Sequence, residues 1–522
     1  MSDAASSLPN NPEELRALVL ATQASLLASE NKVNELEARL QHRDGEIEQL
    51  KLALIKLRKM QFGRSSEKLN FEIEQLELRI ETLETEKALE LPLSEPEETA
   101  VKDKPRRKPL PEHLPRETVR LHAPCACPDC GGSLNSIGID SSETLEYVPG
   151  RFKVIREERE KLVCRGCESI VQTPATSKPI VRGKAGAGLL AHVLVSKYAD
   201  HLPLYRQSEI YERDDGVELD RSTLAGWVGL SGELMKPLGE ALGRYVTSGR
   251  KLHADDTTVP VLKPGHGKTK TGRFWTYVRD DQRASKTDPA AVWFKYTPDR
   301  KGERPREHLA GFNGVLQADG YAGFHHLYQG GRICEAACWA HVRRKFFEFT
   351  EQHDSPLGAE ALKRIAMLYA IEKKIRGQTE DHRREVRQAR AGPLLDDFKI
   401  WMTQTLAKIS KKSELAVTIR YAITRWPALT RYVDDGLVEI DNNLAENALR
   451  TVAIGRKNYL FAGSDAGGER GALMYSLIGT AKMNGVNPHA YLKEVLSRIA
   501  DHAINDIEAL LPWNIEIKEA SE

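Results

Sequence analysis

The chain has 522 residues, with 76 Lys or Arg against 75 Asp or Glu and a formal net charge of +1. This length excludes a single small binding module, and the 40% share of hydrophobic residues excludes wholesale disorder. Because the charges balance, any basic surface must come from local segregation. The N-terminus lacks the pattern of a signal peptide and no apolar run is long enough to cross a bilayer, which predicts a cytoplasmic protein with no membrane partner.

Residues 12–90 carry a heptad pattern. They are rich in Leu, Glu, Lys and Arg, and apolar residues recur every seven positions from Leu26 to Leu54. The pattern predicts a coiled coil of two helices joined near Gly63. The segment either packs as a hairpin on its own chain or joins copies of the chain. Five heptads exceed what local burial requires, which favours a homo-oligomer.

Residues 91–117 form a predicted linker. The segment lacks hydrophobic periodicity and contains six prolines around a basic run at 102–108. Such a composition is typical of a semi-extended spacer. The basic run is also able to contact phosphate, although a solvated spacer is favoured.

Residues 118–178 contain two Cys-x-x-Cys knuckles. Cys127 and Cys130 form the first, and Cys164 and Cys167 form the second, 34 residues farther on. Two such pairs can present four thiolates to one tetrahedral ion, so we predict a small β module that holds a structural Zn²⁺. Cys125 is left outside the metal shell because it would crowd the first pair.

Residues 185–248 have a helical pattern with short connections. A glycine turn at Gly216 precedes a segment in which Ser222 and Thr223 are candidate caps of a further helix. The order of helices resembles a helix-turn-helix, a pattern of low specificity. Contact with DNA and plain helical packing are both open for this region.

Acidic residues interrupt a series of predicted strands. Segments 252–262, 273–278 and 291–296 are strand-like and closely spaced, as in an antiparallel meander. Asp255 and Asp256 lie within the first segment, where burial of carboxylates is costly unless a cation compensates. Strand alternation places these two side chains on opposite faces. Asp319 follows a further short strand, and Asp-Gly at that position is also compatible with a simple turn.

Glu446 follows Asn443 at the start of a predicted helix. The two residues are compatible with an N-cap and its capping-box partner. Alternatively, Glu446 faces the two aspartates. Three such side chains can hold two Mg²⁺ or Mn²⁺ ions, which prefer oxygen ligands.

The chain resembles the large transposase of the insertion-sequence-66 family, a DDE-type enzyme, through nearly its whole length. The motifs that carry the resemblance are the paired Cys knuckles and segments 62–68 (FGRSSEK), 198–205 (YADHLPLY), 253–255 (HAD), 317–321 (QADGY), 338–346 (CWAHVRRKF), 441–446 (DNNLAE), 455–464 (GRKNYLFAGS) and 510–514 (LLPWN).

The resemblance implies a multidomain α+β protein whose RNase H-like α/β catalytic core occupies residues 249–480. Its catalytic and metal-binding triad falls on Asp255, Asp319 and Glu446, with Asp256 as the rival to Asp255. Because 127 residues separate Asp319 from Glu446, a helical insertion is expected at about 345–435. Residues 481–522 are then a C-terminal helical tail.

The same resemblance implies the substrates and partners. The protein would bind the terminal repeats of a bacterial insertion sequence and target DNA, cleave phosphodiesters and transfer strands, with small accessory proteins of the element taking part. The candidate phosphate contacts are Arg343, Arg344, Lys345, Arg450, Arg456 and Lys457. The basic helical segment 359–390 is either a solvated face or a further DNA surface.

Cys338 and His341 are predicted to order the core near Asp319. A zinc role for these two residues alone is not expected, because two ligands are too few. The alternatives to a transposase are a catalytically inactive DNA-binding or architectural protein and a structure-selective nuclease with an RNase H fold.

Overall fold

The computed structural model describes residues 152–158, 161–163, 170–172, 176–181, 183–263, 268–459 and 461–517. The predicted coiled coil, the linker and the four knuckle cysteines lie outside these residues. Strands β1 (Lys161–Val163) and β2 (Ile170–Gln172) pair antiparallel on either side of the second knuckle in the sequence. Residues 152–158 have no regular secondary structure.

Three helices precede the main sheet: α1 (Ala187–Tyr198), α2 (Leu204–Asp215) and α3 (Arg221–Thr247). Helix α2 ends at Gly216, whose φ of 63° lies in the left-handed region that favours glycine. The predicted Ser/Thr cap of α3 is wrong, because Asp220 is the N-cap residue and Ser222 is already helical. Helix α3 buries an apolar stripe from Leu224 to Val246 and contacts the sheet.

A five-stranded mixed sheet forms the centre of the fold. Its strands are β3 (Lys251–Leu262), β4 (Thr269–Arg279), β5 (Ala291–Thr297), β6 (Gly314–Ala318) and β7 (Ile333–Ala336). The order across the sheet is β5-β4-β3-β6-β7. The first three strands form the predicted antiparallel meander, while β6 and β7 run parallel to β3. This mixed α/β architecture confirms the general fold class.

Helix α13 (Asp465–Met483) covers the edge of the sheet at β5. The Thr480 hydroxyl accepts a hydrogen bond of 3.1 Å from the Val292 N–H, and the Ser476 hydroxyl accepts one of 2.8 Å from the Phe294 N–H. An uncovered edge strand would leave these donors available to another strand. The two hydroxyls therefore satisfy backbone N–H groups of β5 that could otherwise pair with another strand.

Two short helices precede the last two strands: α4 (Glu303–His308) comes before β6, and α5 (His325–Tyr328) comes before β7. The chain after β7 is helical and forms α6 (Trp339–His353), α7 (Pro356–Ile375), α8 (Glu380–Val386), α9 (Gly392–Lys408), α10 (Glu414–Thr424), α11 (Trp426–Asp434) and α12 (Asn443–Asn458), which carries the last predicted acidic residue. Helices α6, α7, α9, α10 and α11 share a hydrophobic core that includes Trp339, Phe398 and Trp426. A π-helical turn at Arg387–Ala391 separates α8 from α9.

A buried ionic network connects this helical region to the sheet. Lys251 of β3 is fully buried and lies 3.9 Å from Glu439, which in turn accepts a hydrogen bond of 3.0 Å from Arg383. Arg387, also fully buried, forms a bidentate pair with Glu372 at 2.6 and 2.8 Å. Each of these buried charges therefore faces an opposite charge, as burial of ions requires.

The C-terminal part continues with α14 (Pro488–Arg498), which packs against α1, and a 3₁₀ segment at Ile504–Leu510. The Asn487 side chain caps α14 by accepting hydrogen bonds from the His489 and Ala490 N–H groups. Among the described residues, no helix combines the length and the apolar character needed to cross a bilayer.

Candidate active site

Three chain segments bring the predicted acidic residues together. The parallel pairing of β3 with β6 sets Ala254 opposite Ala318. Asp255 and Asp319 each follow one of these paired residues, so both project from the same edge of the parallel pair. Glu446 is in the first turn of α12, which packs against β3.

Asp255 and Asp256 lie in opposite environments. Asp256 is 1% exposed and is neutralised by Arg273 at 2.7 Å and Arg300 at 2.8 Å. Among the described residues, no lysine or arginine forms a comparable ion pair with Asp255. Burial, followed by the negative charges of Asp319 and Glu446, raises the pKa of Asp255 well above its usual value. Of the two aspartates, Asp255 is therefore the one that faces the other acidic residues.

Asn442 anchors the start of α12 to β3. Its side-chain N–H donates to the Ala254 carbonyl oxygen at 2.9 Å, and its carbonyl oxygen lies 3.1 Å from Nδ1 of His253. Burial, reinforced by the Lys251 charge, lowers the pKa of His253 to about 3, so this imidazole is neutral at physiological pH. These contacts fix the position from which Glu446 projects.

The capping-box interpretation of Glu446 is wrong. Helix α12 begins at Asn443, and the N-cap residue is Asn442, which makes no side-chain capping hydrogen bond. Instead, Asn443 donates to the Asp441 carboxylate at 3.1 Å. Glu446 thus remains available to the acidic cluster.

Glu446 is only 8% exposed. Burial raises its pKa to about 7; Arg344 opposes this rise, whereas Asp441 and Asp319 add to it. The Arg344 guanidinium lies 4.0 Å from Oε2, and Nδ1 of His341 lies 3.8 Å from Oε1. The position of Arg344 beside this carboxylate was not foreseen from the basic run in which it occurs.

The basic residues predicted to contact phosphate have different surroundings. Lys345 and Lys457 are exposed, and Nζ of Lys345 lies 4.7 Å from the centre of the Tyr421 ring. Arg343 and Arg450 are half-buried. Arg456 donates to the hydroxyls of Thr257 and Thr258 at 2.8 and 2.9 Å, and so ties α12 to β3.

The basic segment 359–390 is not a uniform surface. Arg383 and Arg387 belong to the buried ionic network, and Arg364 pairs with Glu360 at 2.7 Å. The interpretation of these arginines as part of a solvated face or a DNA surface is wrong for the two buried ones. No local charge pattern indicates these pairs, because Glu439 lies 56 residues from Arg383 and Glu372 lies 15 residues from Arg387.

The acidic cluster fits a hard divalent cation. Asp255, Asp319 and Glu446 offer only oxygen ligands, which Mg²⁺ and Mn²⁺ prefer. Oε1 of Glu446 is buried and, among the described residues, accepts no hydrogen bond. Burial, together with the negative charges of neighbouring carboxylates, raises the pKa of Asp255 and of Glu446, and a bound cation would stabilise both groups in the ionised form.

Comparison with known proteins matches four parts of the chain. Residues 182–470, just over half of the chain, match the model described as "Transposase IS66 family", and residues 476–513 match the "IS66 C-terminal element". Residues 49–119 match "Transposase C of IS166 homeodomain", and residues 124–168 match the "zinc-finger binding domain of transposase IS66". The last match supports a structural zinc.

Two relatives from Sinorhizobium fredii (strain NBRC 101917 / NGR234), named as uncharacterized proteins, extend over most of the chain. y4hP is 40% identical over 496 residues, which cover 90% of this chain and 89% of the relative. y4qI is 38% identical over 537 residues, which cover 98% of each. The matches to the family models define the class as transposases, enzymes whose partner is DNA. The chain belongs to the IS66 transposase family, which confirms the resemblance drawn from its motifs.

Proposed function

We propose that the protein is a DDE-type transposase that binds the ends of a bacterial insertion sequence and catalyses phosphodiester cleavage and strand transfer. The catalytic residues are Asp255, Asp319 and Glu446. The observation that carries the proposal is their convergence from β3, β6 and α12 into one cluster of coupled carboxylates. Two Mg²⁺ or Mn²⁺ ions bound there would supply Lewis-acid activation of the attacking oxygen and of the leaving group.

The sheet order supports an RNase H-like core at residues 249–480. Strand β3 is the central strand of the sheet. It pairs antiparallel with β4 on one side and parallel with β6 on the other, and it carries Asp255. The helices that follow β7 suit an insertion at about 345–435, placed between the second and third catalytic residues. Residues 185–248 then precede the core as a helical region that contacts DNA, and residues 481–522 follow it as a helical tail.

The protein residues act mainly by positioning and charge. Asn442 and Arg456 hold α12 against β3, which fixes Glu446 relative to Asp255. Arg344 offsets part of the negative charge around Glu446. Arg343, Lys345, Arg450 and Lys457 supply positive charge around the site for the phosphate backbone, where contacts position DNA without reading its sequence. Arg344 and Arg456 remain candidate phosphate contacts, but each would have to leave its present protein partner in order to bind phosphate.

The remaining modules supply binding and assembly. Residues 12–90 form a coiled coil that joins copies of the chain, residues 91–117 act as a linker, and residues 118–178 hold one Zn²⁺. The Zn²⁺ ligands are Cys127, Cys130, Cys164 and Cys167. DNA as substrate implies action in the cytoplasm at the nucleoid, together with small accessory proteins of the element.

The test combines cleavage and binding on element-end DNA. Asp255→Asn and Asp319→Asn are expected to lower the cleavage rate in Mg²⁺ or Mn²⁺ at least about 10³-fold while end binding in a gel-shift assay is unchanged. Asp288→Asn, at an exposed aspartate in the loop before β5, is the matched control and retains cleavage. Equal cleavage by wild type and both site variants would refute the catalytic assignment. Binding without cleavage by wild type would favour an architectural protein, and cutting of branched DNA that lacks element ends would favour a nuclease.

A further inference from the structure

Three potential metal ligands of different chemistry converge at the first turns of two helices. Cys338 is the N-cap residue of α6, and His341 lies three residues later, so their side chains leave the same side of the helix. Glu446 reaches them from the first turn of α12. The sulfur, ring nitrogen and carboxylate oxygen all lie within 4.8 Å of one another.

We propose that Cys338, His341 and Glu446 bind one Zn²⁺ ion, which is distinct from the zinc of the cysteine knuckles and shares the Glu446 ligand with the proposed Mg²⁺ or Mn²⁺ site of the catalytic carboxylates. Two ligands from the sequence motif were too few for zinc. The structure adds the third ligand from a helix more than one hundred residues away in the chain. Three protein ligands leave the fourth tetrahedral position to water.

The distances suit this coordination after a small contraction. Zinc bonds of about 2.0 Å to nitrogen and oxygen and about 2.3 Å to sulfur place the nitrogen about 3.3 Å from the oxygen and the sulfur about 3.5 Å from each. Nδ1 of His341 and Oε1 of Glu446 are 3.8 Å apart, so this pair must close by about 0.5 Å. The sulfur lies within 4.8 Å of both atoms and must also move closer.

The surroundings hold the sulfur in place. The Asn442 N–H donates to Sγ of Cys338 at 3.2 Å, a bond that favours the thiolate over the thiol. The backbone on either side is fixed, because the Ala337 N–H donates to the Ala428 carbonyl oxygen and the Trp339 N–H to the Ile440 carbonyl oxygen. Such support pre-forms a metal site.

Charge and ligand type select zinc over magnesium. One thiolate and one carboxylate neutralise a divalent ion, and the thiol proton is released to water on binding. Arg344 approaches the other oxygen of Glu446, Oε2, and so leaves Oε1 to the metal. Thiolate and imidazole ligands prefer Zn²⁺, whereas Mg²⁺ takes oxygen ligands.

The bound ion would link α6 to α12 and hold Glu446 in place. Zinc binding at this site does not depend on the proposed catalysis, although Glu446 is a ligand in both proposed metal sites. The decisive measurement therefore counts metal rather than activity.

The experiment measures zinc per chain in the purified full-length protein by elemental analysis after dialysis with Zn²⁺ and removal of loosely bound ions. Wild type is expected to carry one more zinc than Cys338→Ser or His341→Gln. Cys334→Ser is the matched control, because this cysteine lies in β7 outside the cluster, and it is expected to equal wild type. The zinc of the knuckles is common to all four proteins and cancels in the comparison.

A second measurement guards against misfolding of the variants. Far-ultraviolet circular dichroism of the four proteins is compared first. Co²⁺ then replaces Zn²⁺ in each, and the wild-type spectrum minus the Cys338→Ser spectrum is expected to show a thiolate-to-cobalt charge-transfer band that Cys334→Ser retains. Equal zinc content in all four folded proteins, or a difference spectrum without that band, would overturn the proposal.

Discussion

Glu446 is expected to destabilise the metal-free protein above neutral pH. Its carboxyl has a pKa near 4.5 in an unfolded chain and about 7 in the folded one. The folded state therefore binds more protons between these values, and stability falls as the pH rises from 4.5 through 7. A rise of this size corresponds to about 3 kcal/mol, at 1.36 kcal/mol per pKa unit. Since the side chain is nearly buried, solvent screening removes little of this free energy.

The perturbation is Glu446→Gln, which replaces the carboxyl by a neutral group of the same shape. At pH 5 the wild-type carboxyl is already protonated in the folded state, so we expect the two proteins to unfold at similar temperatures. At pH 8.5 in chelator, the variant is expected to be more stable by up to about 3 kcal/mol, which is several degrees in Tm. Saturating Mg²⁺ is expected to reduce or reverse the difference, because the cation stabilises only the wild-type carboxylate.

Thermal unfolding by circular dichroism or calorimetry at both pH values, with and without Mg²⁺, provides the assay. Glu494→Gln is a suitable control, because this glutamate is near the surface of α14 and forms only an i,i+4 pair with Arg498. A variant that is less stable than wild type at pH 8.5 in chelator would refute the reasoning. It would mean that Arg344 and neighbouring dipoles already stabilise the ionised carboxylate fully.

Three further predictions concern the scaffold. Burial tends to raise the pKa of Glu439, but the charges of Lys251 and Arg383 outweigh it and lower that pKa to about 2. We therefore expect Glu439→Gln to lower the free energy of unfolding by about 3 kcal/mol at pH 7. In denaturant titrations, this difference from wild type should disappear as the pH falls from 4.5 through 2. Asn442→Ala is expected to lower the cleavage rate about 10-fold or more with end binding retained, and unchanged kinetics would contradict its anchoring role. Gly314 has a φ of 154°, and a Cβ at this position would collide with the carbonyl oxygen of the residue before β3. At Gly311, by contrast, a Cβ would have no heavy atom within 4 Å. We therefore expect Gly314→Ala to lower Tm more than the control Gly311→Ala does.

The sheet was predictable where pattern and burial agree. Strands β3, β4 and β5 are long, rich in β-branched and aromatic residues and closely spaced, and the structure confirms their antiparallel pairing. Strand β7 has only four residues and lacks alternation, so nothing in its sequence marked it. Its pairing with β6 is decided by tertiary packing of the helices around it.

The residues of the acidic cluster were predictable from the sequence, whereas the residues that hold them in place were less so. Asp255, Asp319 and Glu446 were identified through the family resemblance and are brought together by the fold. The anchoring role of Asn442 was not predicted, because an Asn before a helix normally indicates capping. The burial of Lys251 was also not predicted, because a lysine at the start of a strand suggests an exposed side chain. Its burial is explained by Glu439, a partner that is distant along the chain.

The separation of the acidic residues along the chain sets an order of events during synthesis. The Asn442 side chain is 189 residues from its partner His253, and Glu446 follows Asn442 directly on the next turn. A ribosome that adds about 5–20 residues per second needs about 10–40 s to make that segment. During this interval the growing chain presents its first aspartate without the helix that completes the cluster. A nascent chain therefore lacks the complete acidic cluster until residue 446 has been synthesised.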